Sequence, residues 1–276
     1  MLAAALLLHL LTGGAEAPTD AVKLIEPGVQ YRPNEASATS SPWIDANGWQ
    51  ILRAPGRTFA YSVKGESAAL AAAEAFTYGA NAFISADAPG EAAFGRMLEF
   101  LKTVPAADLA PVADFGVVDD GTDVTGELLN LLTRMNLLYR IEKKPERSFR
   151  INVRLGTKEY PSDEAQDPSA VAHKIRSQIG DDSRSLRLYG SEVVIARLVG
   201  GPRQARVFLL NYAGRPVLGL RVRVRGPYSK GELRASGVAD AHLQDWTPAD
   251  RTEGGPAAEF TIPELRAFAV IDLSRN

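Results

Sequence analysis

The feature that most constrains the fold of this 276-residue chain is a change of pattern near Gly180. Before this residue, apolar residues at helical spacing, as in 128–135, alternate with short runs typical of β-strands, as in 112–118. After it, strand-type runs follow one another with turn residues between them. The pattern therefore predicts an α/β domain followed by an all-β domain.

In the first part, alternating helix and strand patterns favour a mostly parallel, Rossmann-like sheet with helices packed against it. We expect an extended lead-in at 18–41 and an α/β domain at 42–183. The predicted strands are residues 49–52, 58–63, 81–85, 112–118, 137–141 and 149–155, the first two forming a hairpin. The predicted helices are residues 66–78, 91–101, 125–135 and 168–178.

Residues 184–276 predict a C-terminal antiparallel β-sandwich. Its strands are expected at 193–198, 206–212, 217–225, 259–262 and 268–273. Alternation within 220–225 places Leu220, Val222 and Val224 on one face, as in a sheet with one buried side. The opposite, solvent-facing positions are Arg221, Arg223 and Arg225.

Residues 1–17 resemble a secretory signal peptide. An apolar run at 2–11 precedes a Gly13-Gly14 break and an Ala15-Glu16-Ala17 cleavage pattern. The alternative is a buried N-terminal helix. The run is too short to span a membrane, which takes about 20 residues, and no other segment qualifies. We therefore predict export to the periplasm or the extracellular space, with no transmembrane segment.

The residue types present exclude several kinds of chemistry. The chain has no cysteine, so thiol nucleophiles and thiolate metal sites are excluded. Beyond the signal segment only His173 and His242 remain, too few for a zinc site built from several histidines. Phosphate-binding and dinucleotide-binding glycine motifs are missing, and no pattern indicates nucleic-acid binding. No cofactor or metal is predicted; the oligomeric state is undetermined.

Charge is divided unevenly along the chain. Residues 18–136 carry 8 basic and 15 acidic side chains, and residues 137–276 carry 23 and 17. A basic face of the second half could contact acidic glycans or an anionic envelope surface, with Arg221, Arg223 and Arg225 as the contact. The alternative is an ordinary solvated sheet face.

Three carboxylates follow predicted parallel strands. Asp87 follows the strand at 81–85, and Asp119 and Asp120 follow the strand at 112–118. Ligands of open α/β sheets bind at the carboxyl ends of strands, and paired carboxylates can catalyse glycoside hydrolysis. Asp87, Asp119 and Asp120 are therefore candidate catalytic residues. The alternative is that they cap helix N-termini.

Tryptophan side chains are candidates for contact with a sugar, because the C–H face of a sugar ring packs well on an aromatic surface. Trp43 and Trp49 are the candidate ligand-binding residues, and Trp246 is a third tryptophan of the same kind. The alternative for each is packing in the core or at its edge.

Several stretches resemble parts of bacterial secreted β-galactosidase-type glycoside hydrolases. AAAEAFTYGANAFISAD, around residues 69–85, is similar to the last helix and strand of a glycosidase barrel. PVADFGVVDD and the following GELLNLLTRMNLLYRI resemble the amidotransferase-like α/β domain of such enzymes. ARVFLLNYAGRPVLGLRVRV and FAVIDL are similar to their terminal β-sandwich.

This resemblance implies an accessory role. Amidotransferase activity needs a cysteine nucleophile, which the chain lacks, and a full glycosidase barrel needs about 250 residues, more than precede residue 112. We therefore predict an exported accessory protein of carbohydrate metabolism that binds a glycan or a partner enzyme. The alternative is a glycoside hydrolase-like enzyme that uses the strand-end carboxylates.

Overall fold

The structure, a computed structural model, describes residues 8–11, 16–30, 42–201, 203–249 and 255–275. Within these ranges the strands form two parallel sheets, two larger antiparallel sheets and a two-stranded ribbon. The predicted mixture of helices with parallel and antiparallel strands is confirmed. The parallel strands form two sheets, whereas the sequence pattern predicts one.

The elements are numbered in chain order. The strands are β1 (Leu8–Leu11), β2 (Val22–Leu24), β3 (Gly28–Gln30), β4 (Trp43–Asp45), β5 (Thr58–Val63), β6 (Asn81–Ala86), β7 (Ala110–Pro111), β8 (Phe115–Val118), β9 (Tyr139–Glu142), β10 (Asn152–Val153), β11 (Leu186–Tyr189), β12 (Val194–Gly200), β13 (Gln204–Asn211), β14 (Val217–Arg225), β15 (Lys230–Ala235), β16 (Gln244–Ala249), β17 (Ala257–Leu265) and β18 (Phe268–Ser274). The α-helices are α1 (Gly48–Arg53), α2 (Ser67–Tyr78), α3 (Ala88–Lys102), α4 (Asp123–Arg134) and α5 (Pro168–Ile179). No helix in the described ranges is long and apolar enough to cross a membrane.

The first parallel sheet has the strand order β1-β6-β5-β2. Strand β1 lies inside the predicted signal segment and pairs with β6, where His9 stacks on Phe83 with ring centroids 4.7 Å apart. Strand β2 lies in the predicted lead-in and pairs with β5. The sheet therefore begins earlier in the sequence than the apolar pattern indicates.

Residues 49–52, predicted as a strand, lie in helix α1, so the predicted hairpin with 58–63 is wrong. Helical spacing directs Ile51 into the core around the first sheet and Trp49 toward the core of the second sheet. Burial of two side chains in two different cores outweighs the β propensity of these residues.

Helices α2 and α3 pack between the first sheet and the five-stranded antiparallel sheet. Nine of the twelve residues of α2 are buried, most of them alanines, and small side chains allow close approach on every side. Gly79 ends this helix in the left-handed conformation, with φ of 67°, which suits glycine. The four predicted helices are all confirmed within a few residues.

The second parallel sheet has the order β10-β8-β9 and packs against α4 and α5. Its central strand β8 starts at Phe115, three residues later than predicted. The cause is β7, which leaves this unit and pairs with β12 of the five-stranded sheet. Residues 110–118 therefore serve two sheets in succession.

The two antiparallel sheets have the orders β11-β14-β17-β16 and β15-β18-β13-β12-β7. Leu220, Val222 and Val224 are fully buried between them, as their alternation predicts. Along β13, Val207 and Leu209 face this core, while Phe208 and Leu210 face α2 and α3. The five-stranded sheet is therefore buried on both faces, which explains its continuous apolar sequence.

The arginine face of β14 differs from its prediction. Arg223 is only 1% exposed, and its Nη2 donates a 3.3 Å hydrogen bond to the carbonyl oxygen of Asp182. The same guanidinium lies 3.7 Å from a carboxylate oxygen of Glu259. The turn at Asp181–Ser183 covers this end of the strand, so Arg223 is not part of a solvated face.

Candidate functional site

An exposed tryptophan is held among polar side chains on the β3–β4 ribbon. Trp43 is 41% exposed, and Gln30 is its partner across the ribbon. Side chains two residues apart on a strand share a face, so Asp45 lies beside Trp43. The indole Nε1 donates to Asp45 Oδ1 at 3.1 Å, and Gln30 Nε2 donates to Asp45 Oδ2 at 2.6 Å.

Arg134, in the last turn of α4, completes this group. Its guanidinium carbon lies 4.0 Å from the centroid of the Trp43 ring. Burial lowers the pKa of Arg134, and the negative charge of Asp45 opposes that shift. Its Nε is buried without a hydrogen-bond partner among the described residues. We call Gln30, Trp43, Asp45 and Arg134 the Trp43 cluster.

An open groove of about 790 Å³ begins next to this cluster. Pro42, the residue before Trp43, forms one wall, and two connections of the β-sandwich form the other. The volume is within the roughly 300–1,000 Å³ of small-molecule sites. The sandwich residues of the groove are Leu188, Gly190, Ser191, Glu192, Val193, Ala213, Arg215, Pro216, Val217 and Leu218.

The Trp43 cluster and the groove offer complementary chemistry. The indole supplies a flat apolar surface, and Asp45, Gln30 and Arg134 supply acceptors and donors at its edge. Along the groove, Glu192 and Arg215 add charge, and Leu218, 71% exposed, adds apolar surface. This combination suits a ligand that has both a C–H face and many hydroxyl groups.

The first predicted catalytic residue, Asp87, caps a helix. Its Oδ1 accepts hydrogen bonds from the backbone N–H of Gly90, in the first turn of α3, at 2.9 Å and of Gly65 at 2.8 Å. These bonds hold the pKa of Asp87 below its usual value. Asp87 follows β6 in the first sheet, whereas the other two candidate carboxylates follow β8 in the second.

Asp119 and Asp120 occupy the loop before α4. Asp119 forms a two-point ion pair with Arg53 of α1, at 2.8 and 2.9 Å. Asp120 Oδ1 accepts hydrogen bonds from the Thr122 backbone, the Thr122 hydroxyl and the Thr125 hydroxyl. In the described part of the chain, no group of three or more acidic or histidine side chains has the geometry of a metal site.

We expect Asp120→Ala to lower the free energy of unfolding by about 1 kcal/mol, as is typical when N-terminal capping of a helix is lost. Burial raises the pKa of Asp120, but the bonds from Thr122 and Thr125 outweigh it and the net shift is downward. The stabilisation is thus present above the ordinary pKa and lost as the pH falls through the folded value. Urea unfolding at several pH values measures this, with exposed Asp108→Ala as control; equal stabilities of the two variants would contradict it.

The second predicted aromatic platform, Trp49, lies against α4. A side-chain carbon added at Gly126 would lie 3.1 Å from the Trp49 ring and 2.7 Å from Arg53 Nη1. The indole is half-buried at the edge of the second core. Of the two predicted platforms, Trp43 is the one with an exposed ring.

A different polar group is fully buried between α2, the first sheet and the β-sandwich. Glu74 Oε1 accepts from the Asn47 backbone N–H at 2.8 Å and the Tyr212 hydroxyl at 2.6 Å. Its Oε2 accepts from Asn47 Nδ2 at 2.8 Å and the Tyr61 hydroxyl at 2.9 Å. Glu74 and Asn47 are 0% exposed. This Glu74 network is closed to ligands and connects β13 to α2.

Sequence reasoning missed Gln30, Asp45 and Arg134, and it also missed Glu74. The two-residue spacing of Trp43 and Asp45 is a usable signal for a shared strand face. Glu74 is the one charged residue in an alanine-rich helix, which is a signal for a special environment. Arg134 lies far from Trp43 in sequence, and no local pattern indicates their contact.

No protein-family model matches the sequence, and neither does any curated protein sequence. Among solved structures, the fold is similar to that of alpha-L-fucosidase isoenzyme 2 from Paenibacillus thiaminolyticus. The TM-score is 0.58 at 10% identity, over 80% of this chain and 61% of the fucosidase chain. The chain thus spans less than two thirds of that protein.

Weaker matches are also glycoside hydrolases. The xylanase Xyn30A from Clostridium acetobutylicum gives a TM-score of 0.26 at 7% identity, over 82% of this chain and 52% of that one. The maltogenic alpha-amylase AmyB from Thermotoga neapolitana gives 0.19 at 10% identity, over 79% and 55%. The comparison with the fucosidase shows that this chain has the fold of a carbohydrate-active enzyme.

Proposed function

We propose that this protein is an exported accessory protein of carbohydrate metabolism that binds a glycan at the Trp43 cluster and along the adjacent groove. The observation that carries the proposal is the exposed Trp43 ring, fixed by Arg134 and bordered by Asp45 and Gln30. The fucosidase-like fold supports the proposal as an analogy of architecture, since fold alone does not imply function.

The alternative is a hydrolase that uses Asp87, Asp119 and Asp120. Such an enzyme requires two carboxylates that face one substrate across a cleft. Here the three side chains follow strands of two different sheets, and each accepts hydrogen bonds from loop or helix groups. Their contacts are those of capping and ion-pairing residues, so we favour binding over catalysis.

Export stays a prediction from the sequence of residues 1–17. It has a structural condition: if this segment is removed, β1 is lost and β6 becomes an edge of the first sheet. The partner of the mature protein is then a glycan or an enzyme that acts on one.

We expect Trp43→Ala to weaken glycan binding at least about tenfold, because truncation of a central aromatic contact typically costs more than 1 kcal/mol of binding free energy. Affinity electrophoresis against plant and bacterial polysaccharides identifies a ligand, and calorimetry measures the affinities. Trp43→Phe should retain part of the affinity because it keeps an aromatic face.

Trp246→Ala is the matched control. Trp246 stacks on Phe260 of the sandwich with centroids 5.4 Å apart, away from the Trp43 cluster. We expect its loss to leave glycan affinity unchanged. Equal binding by Trp43→Ala and the unchanged protein would refute this site, and retention on none of the polysaccharides would refute glycan binding.

A further inference from the structure

A small cavity lies where α2, α4 and β12 meet, apart from the Trp43 cluster. Its volume is about 50 Å³. Arg197 of β12 and Tyr78 at the end of α2 both line it, together with Tyr139 and Thr133. The remaining walls are mostly apolar, which lowers the local polarizability and strengthens any charge interaction inside.

Arg197 has no acidic partner in the described part of the chain. Its Nη1 donates a 2.5 Å hydrogen bond to the carbonyl oxygen of Thr77, and its guanidinium lies 4.9 Å from the centroid of the Tyr78 ring. Burial lowers the pKa of Arg197, and only the neighbouring tyrosines oppose that shift. By contrast Arg206, on the next strand, forms a two-point ion pair with Asp272.

The contacts of Arg197 compensate its charge in part. Thr77 belongs to the last turn of α2, and a helix C-terminus carries roughly half a negative elementary charge. A ring face adds a weaker attraction. The balance is a desolvated net positive charge, which is costly unless an anion accompanies it.

Two donors facing the cavity are available to such an anion. The remaining N–H groups of the guanidinium are one, and the other is the Tyr78 hydroxyl, for which the described residues provide no hydrogen-bond acceptor. Tyr139 is already engaged, because its hydroxyl pairs with the Thr133 hydroxyl at 2.8 Å. The donor pair therefore consists of Arg197 and Tyr78.

We propose that this cavity is a binding site for one small monovalent inorganic anion of the size of chloride, held by the Arg197 guanidinium and the Tyr78 hydroxyl. A volume of about 50 Å³ accommodates a few water-sized groups, far less than the roughly 300 Å³ or more of sites for sugars and nucleotides. The anion would join the end of α2 to β12 and would stabilise the contact between the helical layer and the sandwich.

The test compares salts at constant ionic strength, so that general screening is equal in every sample. The midpoint of thermal unfolding is measured in sodium chloride, bromide, nitrate, gluconate and sulfate. We expect chloride, bromide and nitrate to raise Tm by several degrees in a saturable way relative to gluconate, because a ligand of the folded state stabilises it. Sulfate should give no saturable component because it is too large. A saturable effect of sulfate equal to that of chloride would contradict the proposed size.

Arg197→Gln should abolish the saturable difference between chloride and gluconate, whereas Arg206→Gln should lower Tm and retain it. Crystals of the unchanged protein soaked in sodium bromide give a second readout that needs no variant. An anomalous bromide peak between Arg197 and Tyr78 supports the site. A chloride effect that persists in Arg197→Gln, or a bromide soak without a peak in the cavity, overturns it.

Discussion

Replacing Glu74 with alanine should lower the free energy of unfolding by about 3–5 kcal/mol, the cost typical of removing one side of a buried charged group. Four donor groups now point at this carboxylate: the backbone N–H and Nδ2 of Asn47 and the hydroxyls of Tyr61 and Tyr212. In the variant they remain buried without an acceptor. Urea unfolding monitored by circular dichroism measures the loss.

The isosteric Glu74→Gln tests the same network by charge and donor pattern. Its amide nitrogen would face either the Asn47 backbone N–H or the Asn47 Nδ2, and neither can accept a hydrogen bond. Asn47 cannot turn over, because its Oδ1 accepts from Ile25 N and its Nδ2 donates to Ile25 O. At least one buried donor is thus left unpaired, at a cost of about 1–3 kcal/mol.

The contribution of Glu74 should depend on pH in a defined direction. Burial raises its pKa above the ordinary value of 4.5, against the effect of its hydrogen bonds. The folded state therefore holds the proton more tightly than the unfolded state. Stability from this group is fully present below the ordinary pKa and is lost as the pH rises through the folded value. The stability difference between the unchanged protein and Glu74→Gln should narrow as the pH rises.

Glu99→Gln is the matched control for both Glu74 variants. Glu99 lies on the neighbouring helix α3 and pairs only with Lys102 at the surface, with 72% of its side chain exposed. Exposed pairs of this kind contribute about 0–1 kcal/mol. If Glu74→Ala were no more destabilised than Glu99→Gln, the network would have no role in stability.

Phe268→Ala should cost about 3–5 kcal/mol, as for other fully buried aromatic residues. Phe268 belongs to β18, yet it stacks with Phe208 at 6.3 Å and meets Phe76 of α2 and Phe100 of α3 edge-on. Its loss leaves a cavity between the sheet and the two helices. We expect faster hydrogen exchange in α2 and α3 as well as in β18.

Phe260→Ala provides the comparison for Phe268. Phe260 is equally buried, but it lies in the core between the two antiparallel sheets. A similar loss of stability is expected, with faster exchange confined to the sandwich strands. If both variants affected only the sandwich, the contact of Phe268 with the helices would be energetically negligible.

Local patterns were sufficient for much of the fold. The alanine-rich stretch ending at Gly79 predicts α2, and the alternation in 220–225 predicts which residues of β14 are buried. Both depend on neighbours in sequence. Residues 49–52 were wrongly predicted because their helix is fixed by packing against two cores, which depends on residues distant in sequence.

The candidate site was predictable to a smaller extent. Trp43 was identified from its residue type, but its exposure depends on the β3–β4 pairing, and Arg134 reaches it only through the packing of α4. Arg223 shows the same limit in reverse. Its alternation with Val222 and Val224 indicates a solvent-facing side chain, and only the turn at Asp181–Ser183 reveals that it is covered.

The double-sided burial of the five-stranded sheet bears on how this protein can be divided. A gene fusion or recombination event that separates the chain at Gly180 would leave Phe208, Leu210 and Phe268 without the helices that cover them. It would also detach β7 from the edge of β12 and open that edge to other chains. Each fragment would carry a large exposed apolar surface and would tend to aggregate. The residue at which the sequence changes character is thus a poor place to cut, and the two halves have to be inherited and expressed together.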